Sequence, residues 1–250
     1  NWDTAKAGPF DAAWNTTYKE IRSKDTTTPI QGPSFATYTR AKMQTFLQDA
    51  IANNAVPDVI AWHELQTSST IASHIADYRA LESSLGLSPR PIDIEEYGTP
   101  SEMGNSGALI GYAAKFERGG VRNAELAFWN HYGTLGDTLT DTGGSPNGSY
   151  WLYTWYGSMS GNMVSTVPPS QTGLDGAASV NASATQVNIV FGGGSGSNDP
   201  PERAIWMTMP HARFGCRNAW SQSGSLSSTL TASRPAALTS SSAARKSGTL

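Results

Sequence analysis

Residues 56–63 read Val-Pro-Asp-Val-Ile-Ala-Trp-His, and this stretch decides the fold. It is a short, nearly continuous apolar run, which is typical of a strand that is covered on both faces. Helical patterns flank it, because residues 39–53 place Met43 and Phe46 on one helical face and residues 69–85 form the next amphipathic segment. A covered strand between two helices predicts a parallel sheet with helical crossovers.

The same alternation extends in both directions from this strand. Further strands are predicted at residues 28–34, 92–96 and 124–129, and further helices at residues 10–22 and 106–119. The sequence therefore predicts an α/β fold, either a barrel or a doubly wound open sheet. No GxGxxG phosphate loop follows any of these strands, which removes the usual reason for the open sheet. Residues 192–194 are three glycines with no helical pattern after them, and we predict a loop there.

Composition excludes several classes of partner. With 250 residues, of which 38% are hydrophobic, the chain can bury a sizeable core. A formal charge of −3 offers no positive field to a nucleic acid or an anionic membrane, and no apolar run is long enough to span a bilayer. Cys216 is the single cysteine, which excludes an intrachain disulfide and a thiolate zinc site. We therefore expect neither nucleic acid nor membrane as a partner.

The last fifth of the chain differs in composition from the rest. All 20 acidic residues lie at or before Glu202, and from about Ser221 the chain is mostly serine, alanine, threonine and leucine. Such a segment lacks the hydrophobic periodicity of a packed element. We predict a low-complexity, disordered tail over residues 203–250.

Carboxylates, an imidazole and aromatic rings collect where three predicted strands end. These side chains are Trp62, His63 and Glu64, then Glu95, Glu96 and Tyr97, then Trp129 within residues 128–132. The carboxyl ends of parallel barrel strands meet at one mouth, where functional residues of such barrels lie. Cleavage of a glycosidic bond requires an acid to protonate the leaving oxygen and a carboxylate to attack or to activate water. Aromatic rings supply flat faces for sugars, so the pattern favours glycosidic chemistry.

Ordinary structural roles remain open for some of these residues. Glu95 and Glu102 lie where a helix cap is the more common role, and Trp62 and Trp129 are equally compatible with core packing. One histidine beside one glutamate does not supply a metal site, so no metal is predicted. No GxSxG elbow occurs, so a nucleophilic serine is not predicted either.

Five segments together resemble the clan A glycoside hydrolases, most closely their family 39-like members. These segments are WNTTYKEIR at 14–22, IQGPSFA at 30–36, PDVIAWHEL at 57–65, IEEYG at 94–98 and FW at 128–129. The resemblance covers residues 1–165 and implies a retaining (β/α)₈ TIM barrel, of which these residues are strands five to eight. It also implies that residues 166–202 begin a small β-sandwich.

The resemblance assigns roles to the strand-end residues. Glu96 matches the family's nucleophile, and His63 matches the histidine of its sixth strand. Trp129 matches the tryptophan that forms the floor of the sugar site. Trp62 and Tyr97 would shape the subsite, and Glu64 would be an auxiliary carboxylate in the same mouth. The implied protein is a secreted retaining glycoside hydrolase that acts on a polysaccharide or its oligosaccharides without a cofactor.

One departure from the family pattern concerns the second carboxylate. The family's acid/base glutamate lies in an Asn-Glu-Pro motif after the fourth strand, and the alignment places that motif just before residue 1. We therefore expect the catalytic barrel to be incomplete in these residues. A competing alignment makes Glu64 the acid/base, although only 32 residues then separate it from Glu96. A non-catalytic carbohydrate-binding or structural remnant is the remaining alternative.

Overall fold

The computed structural model describes residues 4–127, 138–141, 143–193 and 204–210. These residues divide into two compact units, one of residues 4–103 and 115–127, the other of residues 104–114 together with the described residues from 138 onward. Residues 143–165 thus group with the second unit. None of the described helices has the length and apolar character needed to cross a membrane.

The first unit is a four-stranded sheet whose strands alternate with helices. Its helices are α1 (Thr4–Ala7), α2 (Phe10–Lys24), α3 (Arg40–Ala52), α4 (Ile71–Ser84) and the latter part of α5 (Ser106–Gly119), and its strands are β1 (Gln31–Phe35), β2 (Val59–Glu64), β3 (Ile92–Tyr97) and β4 (Val121–Leu126). The strands lie in the order β1-β2-β3-β4, and every neighbouring pair is parallel. This confirms the predicted α/β class with helical crossovers.

The core of the first unit lies between the sheet and its helices. Ile60, Ile92 and Ile94 are fully buried. Alternate side chains of a strand point to opposite faces, so these three share the face that the helices cover. The Trp62 ring packs on the same side against Tyr78 of α4, with ring centres 5.7 Å apart.

Trp14 of α2 packs directly on the backbone of Gly32 in β1. A Cβ atom at Gly32 would lie 2.4 Å from two carbons of the Trp14 ring. We expect Gly32→Ala to lower the free energy of unfolding by about 2 kcal/mol, because the helix must move outward to make room. Urea unfolding measures this, with Gly157→Ala as the control, since a Cβ there meets nothing within 4 Å apart from its chain neighbours and the nearby backbone of its own helix. Equal stability of the two variants would contradict this packing.

The described residues of the second unit contain the first part of α5, one further helix and an antiparallel sheet. Its elements are α6 (Gly148–Gly157), β5 (Asn162–Val164), β6 (Asp175–Val180), β7 (Gln186–Gly192) and β8 (Ala204–Pro210), with the strands in that order. Asn147 caps α6 by accepting hydrogen bonds from the backbone N–H groups of Ser149 and Tyr150.

The predicted disorder from residue 203 onward is wrong for residues 204–210. These residues form β8, which pairs with β7 from Gly192 opposite Ala204 to Gln186 opposite Pro210. Pairing with a strand that lies earlier in the chain stabilises β8, and local composition does not show such pairing. Residues 211–250 lie outside the described residues.

Candidate active site

His63 lies between two carboxylates at the carboxyl ends of β2 and β3. Its Nδ1 atom is 3.1 Å from Oε2 of Glu96, and its Nε2 atom is 3.6 Å from Oε2 of Glu95. The His63 and Glu95 side chains are 21% and 25% exposed, whereas that of Glu96 is 48% exposed. The cluster is therefore half-buried at His63 and open to solvent at Glu96.

An irregularity in strand pairing brings both glutamates to the same histidine. Consecutive side chains of a regular strand point to opposite faces, so Glu95 and Glu96 would ordinarily be separated. Here Trp62 pairs with Ile94 but His63 pairs with Glu96, so the register shifts by one residue between these two pairs. An extra residue of this kind re-aims the side chains around it.

Gln31 of β1 holds the inner carboxylate. Its Nε2 atom donates a 2.5 Å hydrogen bond to Oε1 of Glu95. Three neighbouring strands thus contribute to one polar row, Gln31 from β1, His63 from β2 and the two glutamates from β3. The capping role that the sequence favoured for Glu95 is therefore not what the structure shows. It is correct for Glu102, which forms a capping box with Thr99.

Glu96 has the arrangement that a nucleophilic carboxylate needs. Oε2 faces His63, while Oε1 has no hydrogen-bond partner among the residues that the structure describes. An Nδ1–H group of His63 at this distance can hold one carboxylate oxygen in place. The other oxygen is left to approach an electrophilic carbon.

Glu64 does not join this cluster, which corrects the expectation that it shares the mouth with Glu96. Its carboxylate is 2% exposed and accepts a 2.7 Å hydrogen bond from Nε1 of Trp62. Nδ1 of His74 in α4 lies 2.8 Å from the same oxygen. Because side chains alternate along β2, Glu64 lies on the opposite face from His63, where the helices pack.

Trp62 and Tyr97 lie on that helix-covered face as well, so neither forms the predicted sugar platform. Trp62 is fully buried, and Tyr97 is 4% exposed with its ring 5.1 Å from that of Phe116. The strand positions of Trp62 and Tyr97 explain this placement. Trp62 is two residues before Glu64 on β2, and Tyr97 pairs with Glu64, so both share the face of Glu64. Trp129 lies outside the described residues.

The helix-covered face carries a buried polar network around these rings. Tyr38 packs on Trp62 and His74, and its hydroxyl donates a 2.6 Å hydrogen bond to Asp77. Burial, and then the bond to Asp77, raise the pKa of the Tyr38 hydroxyl. That bond, together with Arg40, lowers the pKa of Asp77. Glu64 and His74 thus belong to a structural network of satisfied polar groups.

Comparisons with known proteins relate the chain to carbohydrate-cleaving enzymes. A 3-O-alpha-D-galactosyl-alpha-L-arabinofuranosidase of Bifidobacterium longum subsp. longum is 35% identical over 170 residues, which are 66% of this chain and 15% of that protein. A 3-O-beta-L-arabinopyranosyl-alpha-L-arabinofuranosidase of Bifidobacterium pseudocatenulatum is 32% identical over 175 residues, 68% of this chain and 18% of that protein. The chain therefore spans less than a fifth of the length of these relatives. No protein-family model matches it.

Solved structures share the fold. N2152 from Neocallimastix frontalis superposes with a TM-score of 0.70 and 39% identity over 77% of this chain and 49% of that one. A GH39 beta-xylosidase from Caulobacter crescentus superposes with a TM-score of 0.58 and 17% identity over 76% of this chain and 44% of that one. The chain is thus related to glycoside hydrolases and shares the α/β fold of their TIM-barrel members.

Proposed function

We propose that these residues are part of a retaining glycoside hydrolase, family 39-like, in which Glu96 is the nucleophile. The observation that carries this proposal is the 3.1 Å contact between Nδ1 of His63 and the exposed carboxylate of Glu96 at the end of a parallel strand. The relationship to glycosidases supports it independently. The substrate is a polysaccharide or oligosaccharide, and the arabinofuranosidase relatives favour arabinofuranosyl residues as the group that is cleaved.

The chemistry assigned to Glu96 is displacement at the anomeric carbon. One carboxylate oxygen forms a bond to that carbon as the bond to the leaving oxygen breaks, which gives a covalent glycosyl-enzyme. Water then hydrolyses the ester and restores the carboxylate. His63 orients the attacking carboxylate, while Glu95, which is itself held by Gln31, lies against the imidazole on the other side.

Protonation of the leaving oxygen needs a second carboxylic acid. Glu64 does not supply it, because its carboxylate is buried against Trp62 and His74. We propose that this acid is a glutamate outside residues 1–250, in the Asn-Glu-Pro motif that the resemblance implies, and that the whole enzyme acts outside the cell.

A mechanism-based label tests whether Glu96 is the nucleophile, and it does not require the acid that protonates the leaving oxygen. The chain is incubated with 2,4-dinitrophenyl 2-deoxy-2-fluoro glycosides of arabinofuranose and of xylopyranose. Their leaving group departs without protonation, and the fluorine slows hydrolysis of the adduct, so a nucleophile alone is trapped. We expect one sugar per chain, located on Glu96 by peptide mass spectrometry. A label on Glu95 or Glu64 would reassign the nucleophile, and sugar binding without any adduct would favour a non-catalytic carbohydrate-binding role.

A further inference from the structure

The Glu95 carboxylate lies at the second nitrogen of the His63 imidazole and takes no step in the chemistry above. Its Oε2 atom is 3.6 Å from Nε2 of His63, while Oε2 of Glu96 is 3.1 Å from Nδ1. The imidazole therefore has one carboxylate at each of its two ring nitrogens. In the part of the chain that the structure describes, no other titratable side chain is paired with His63.

Gln31 determines which oxygen of Glu95 is left for the imidazole. Nε2 of Gln31 donates a 2.5 Å hydrogen bond to Oε1 of Glu95, so that oxygen is occupied. Among the described residues, Oε2 has no partner other than His63. Because a carboxylate can only accept, Glu95 presents His63 with one acceptor oxygen in a defined position.

A neutral imidazole cannot donate a hydrogen bond to both carboxylates. One ring nitrogen carries the proton and the other is an acceptor, and the surrounding partners decide which is which. An unprotonated nitrogen beside a carboxylate brings two acceptors together, which is unfavourable. While both glutamates are charged, the shorter contact favours the proton on Nδ1, toward Glu96.

The covalent step assigned to Glu96 changes this balance. Bond formation to the anomeric carbon converts the Glu96 carboxylate into an ester without a negative charge, whereas Glu95 keeps its carboxylate. A hydrogen bond to a charged acceptor is roughly twice as strong as one to a neutral acceptor. The nitrogen that faces Glu95 is then the better place for the proton.

We propose that Glu95 is a positioning residue that acts through the tautomer of His63, an inference that rests on the proposed role of Glu96. Before the sugar is bound covalently, the His63 proton is on Nδ1 and orients Glu96. In the glycosyl-enzyme the proton is on Nε2 and points to Glu95. The exchange leaves the charge of the ring unchanged, because Nδ1 releases a proton to water while Nε2 takes one up. The His63 side chain is 21% exposed, so water can reach the ring.

The exchange requires only a small movement of the ring. Nε2 and Oε2 of Glu95 must approach by about 0.5 Å to reach hydrogen-bond length. The hydrogen bond from Gln31 keeps the Glu95 carboxylate in place during this approach. When hydrolysis restores the charge of Glu96, the proton returns to Nδ1.

Substitutions that remove one charge at a time test the proposal without any turnover. Glu96→Gln removes the charge at Nδ1, as the ester does, and Glu95→Gln is the matched substitution at Nε2. The 250-residue chain is labelled with ¹⁵N at its four histidines, and the ring nitrogens are observed by NMR spectroscopy at neutral pH. Protonated and unprotonated ring nitrogens have well-separated shifts, and the His63 signals are identified by their loss in His63→Asn.

We expect the two substitutions to give opposite tautomers. The proton should be on Nδ1 in the original chain and in Glu95→Gln. In Glu96→Gln the ratio of the two tautomers should change by at least about fivefold in favour of Nε2–H. His74, whose Nδ1 atom lies 2.8 Å from Glu64 on the other face of the sheet, is the internal control, and its signals should not change.

The same tautomer in Glu96→Gln as in the original chain would overturn the proposal. So would a ring protonated on both nitrogens in all three proteins, since neither glutamate would then select a tautomer. Circular dichroism confirms that each variant is folded, and Glu96→Ala removes the same charge if Glu96→Gln fails to fold.

The fluoro-sugar adduct distinguishes failure of this proposal from failure of the proposed function. In an adduct on Glu96 we expect the Nε2–H tautomer, as in Glu96→Gln. An adduct on Glu96 with the proton still on Nδ1 would overturn the exchange and leave Glu96 as the nucleophile. Opposite tautomers in the two variants without any adduct would support control of the proton by the two glutamates and count against Glu96 as the nucleophile.

Discussion

Glu96→Gln is expected to lower the rate of labelling by 2,4-dinitrophenyl 2-deoxy-2-fluoro glycosides at least about 1,000-fold, which is about 4 kcal/mol of transition-state free energy. The amide keeps the shape of the side chain but has no anionic oxygen to attack the anomeric carbon. The Glu96 side chain is 48% exposed, so its replacement should leave the melting temperature nearly unchanged.

Glu95→Gln is the control for this substitution, because it changes the adjacent carboxylate on the same strand. Glu95 contacts His63 and Gln31, and we expect its loss to slow labelling only about tenfold, through poorer orientation of the imidazole. Labelling rates from intact-mass spectra separate the two outcomes. If Glu95→Gln abolishes labelling and Glu96→Gln does not, Glu95 is the nucleophile.

The second large effect is expected on stability, at the ion pair between Arg122 and Asp93. The Asp93 side chain is only 3% exposed, and Arg122 binds it with both ends of the guanidinium, Nε to Oδ1 at 2.9 Å and Nη2 to Oδ2 at 2.5 Å. Arg122→Leu leaves a buried carboxylate without its cation. We expect a loss of about 3 kcal/mol, the lower end for a broken buried pair, because the Arg122 side chain is 48% exposed.

A double substitution shows whether that loss comes from the stranded charge. Asp93→Asn combined with Arg122→Leu removes both charges, and we expect it to recover more than half of the stability lost in Arg122→Leu. Urea unfolding of the two variants and the original chain provides the comparison. A double variant no more stable than Arg122→Leu would mean that packing of the arginine stem, not charge, stabilises β4.

Local pattern predicted the parallel sheet because each of its elements carries its own signal. The apolar run ending at His63 and the face of α3 bearing Met43 and Phe46 can be identified without knowledge of distant contacts. β8 could not be identified in this way, since its partner is β7 and its stability depends on that pairing.

The candidate site was predicted in part, and the errors have two separate causes. The prediction for Glu64 put it on the wrong face of the sheet. Side chains alternate along β2, so adjacent residues such as His63 and Glu64 point to opposite faces. The contact of Glu95 with His63 depends on the register shift between the pairs Trp62–Ile94 and His63–Glu96. No residue type in the sequence indicates such a shift. His63 and Glu96 were predicted to lie together, and their side chains are in contact.

The order of strands in the parallel sheet has a consequence for how the chain folds. Each strand pairs with the next one along the chain, as in Gln31 with Val59, Ile60 with Ile92 and Ile92 with Val121. Every pairing therefore closes a loop of roughly 30 residues, at an entropic cost of about 3 kcal/mol that is nearly equal from one step to the next. Each pairing within the sheet joins strands that are consecutive in the sequence. The sheet can therefore form strand by strand in the order in which the strands are synthesised.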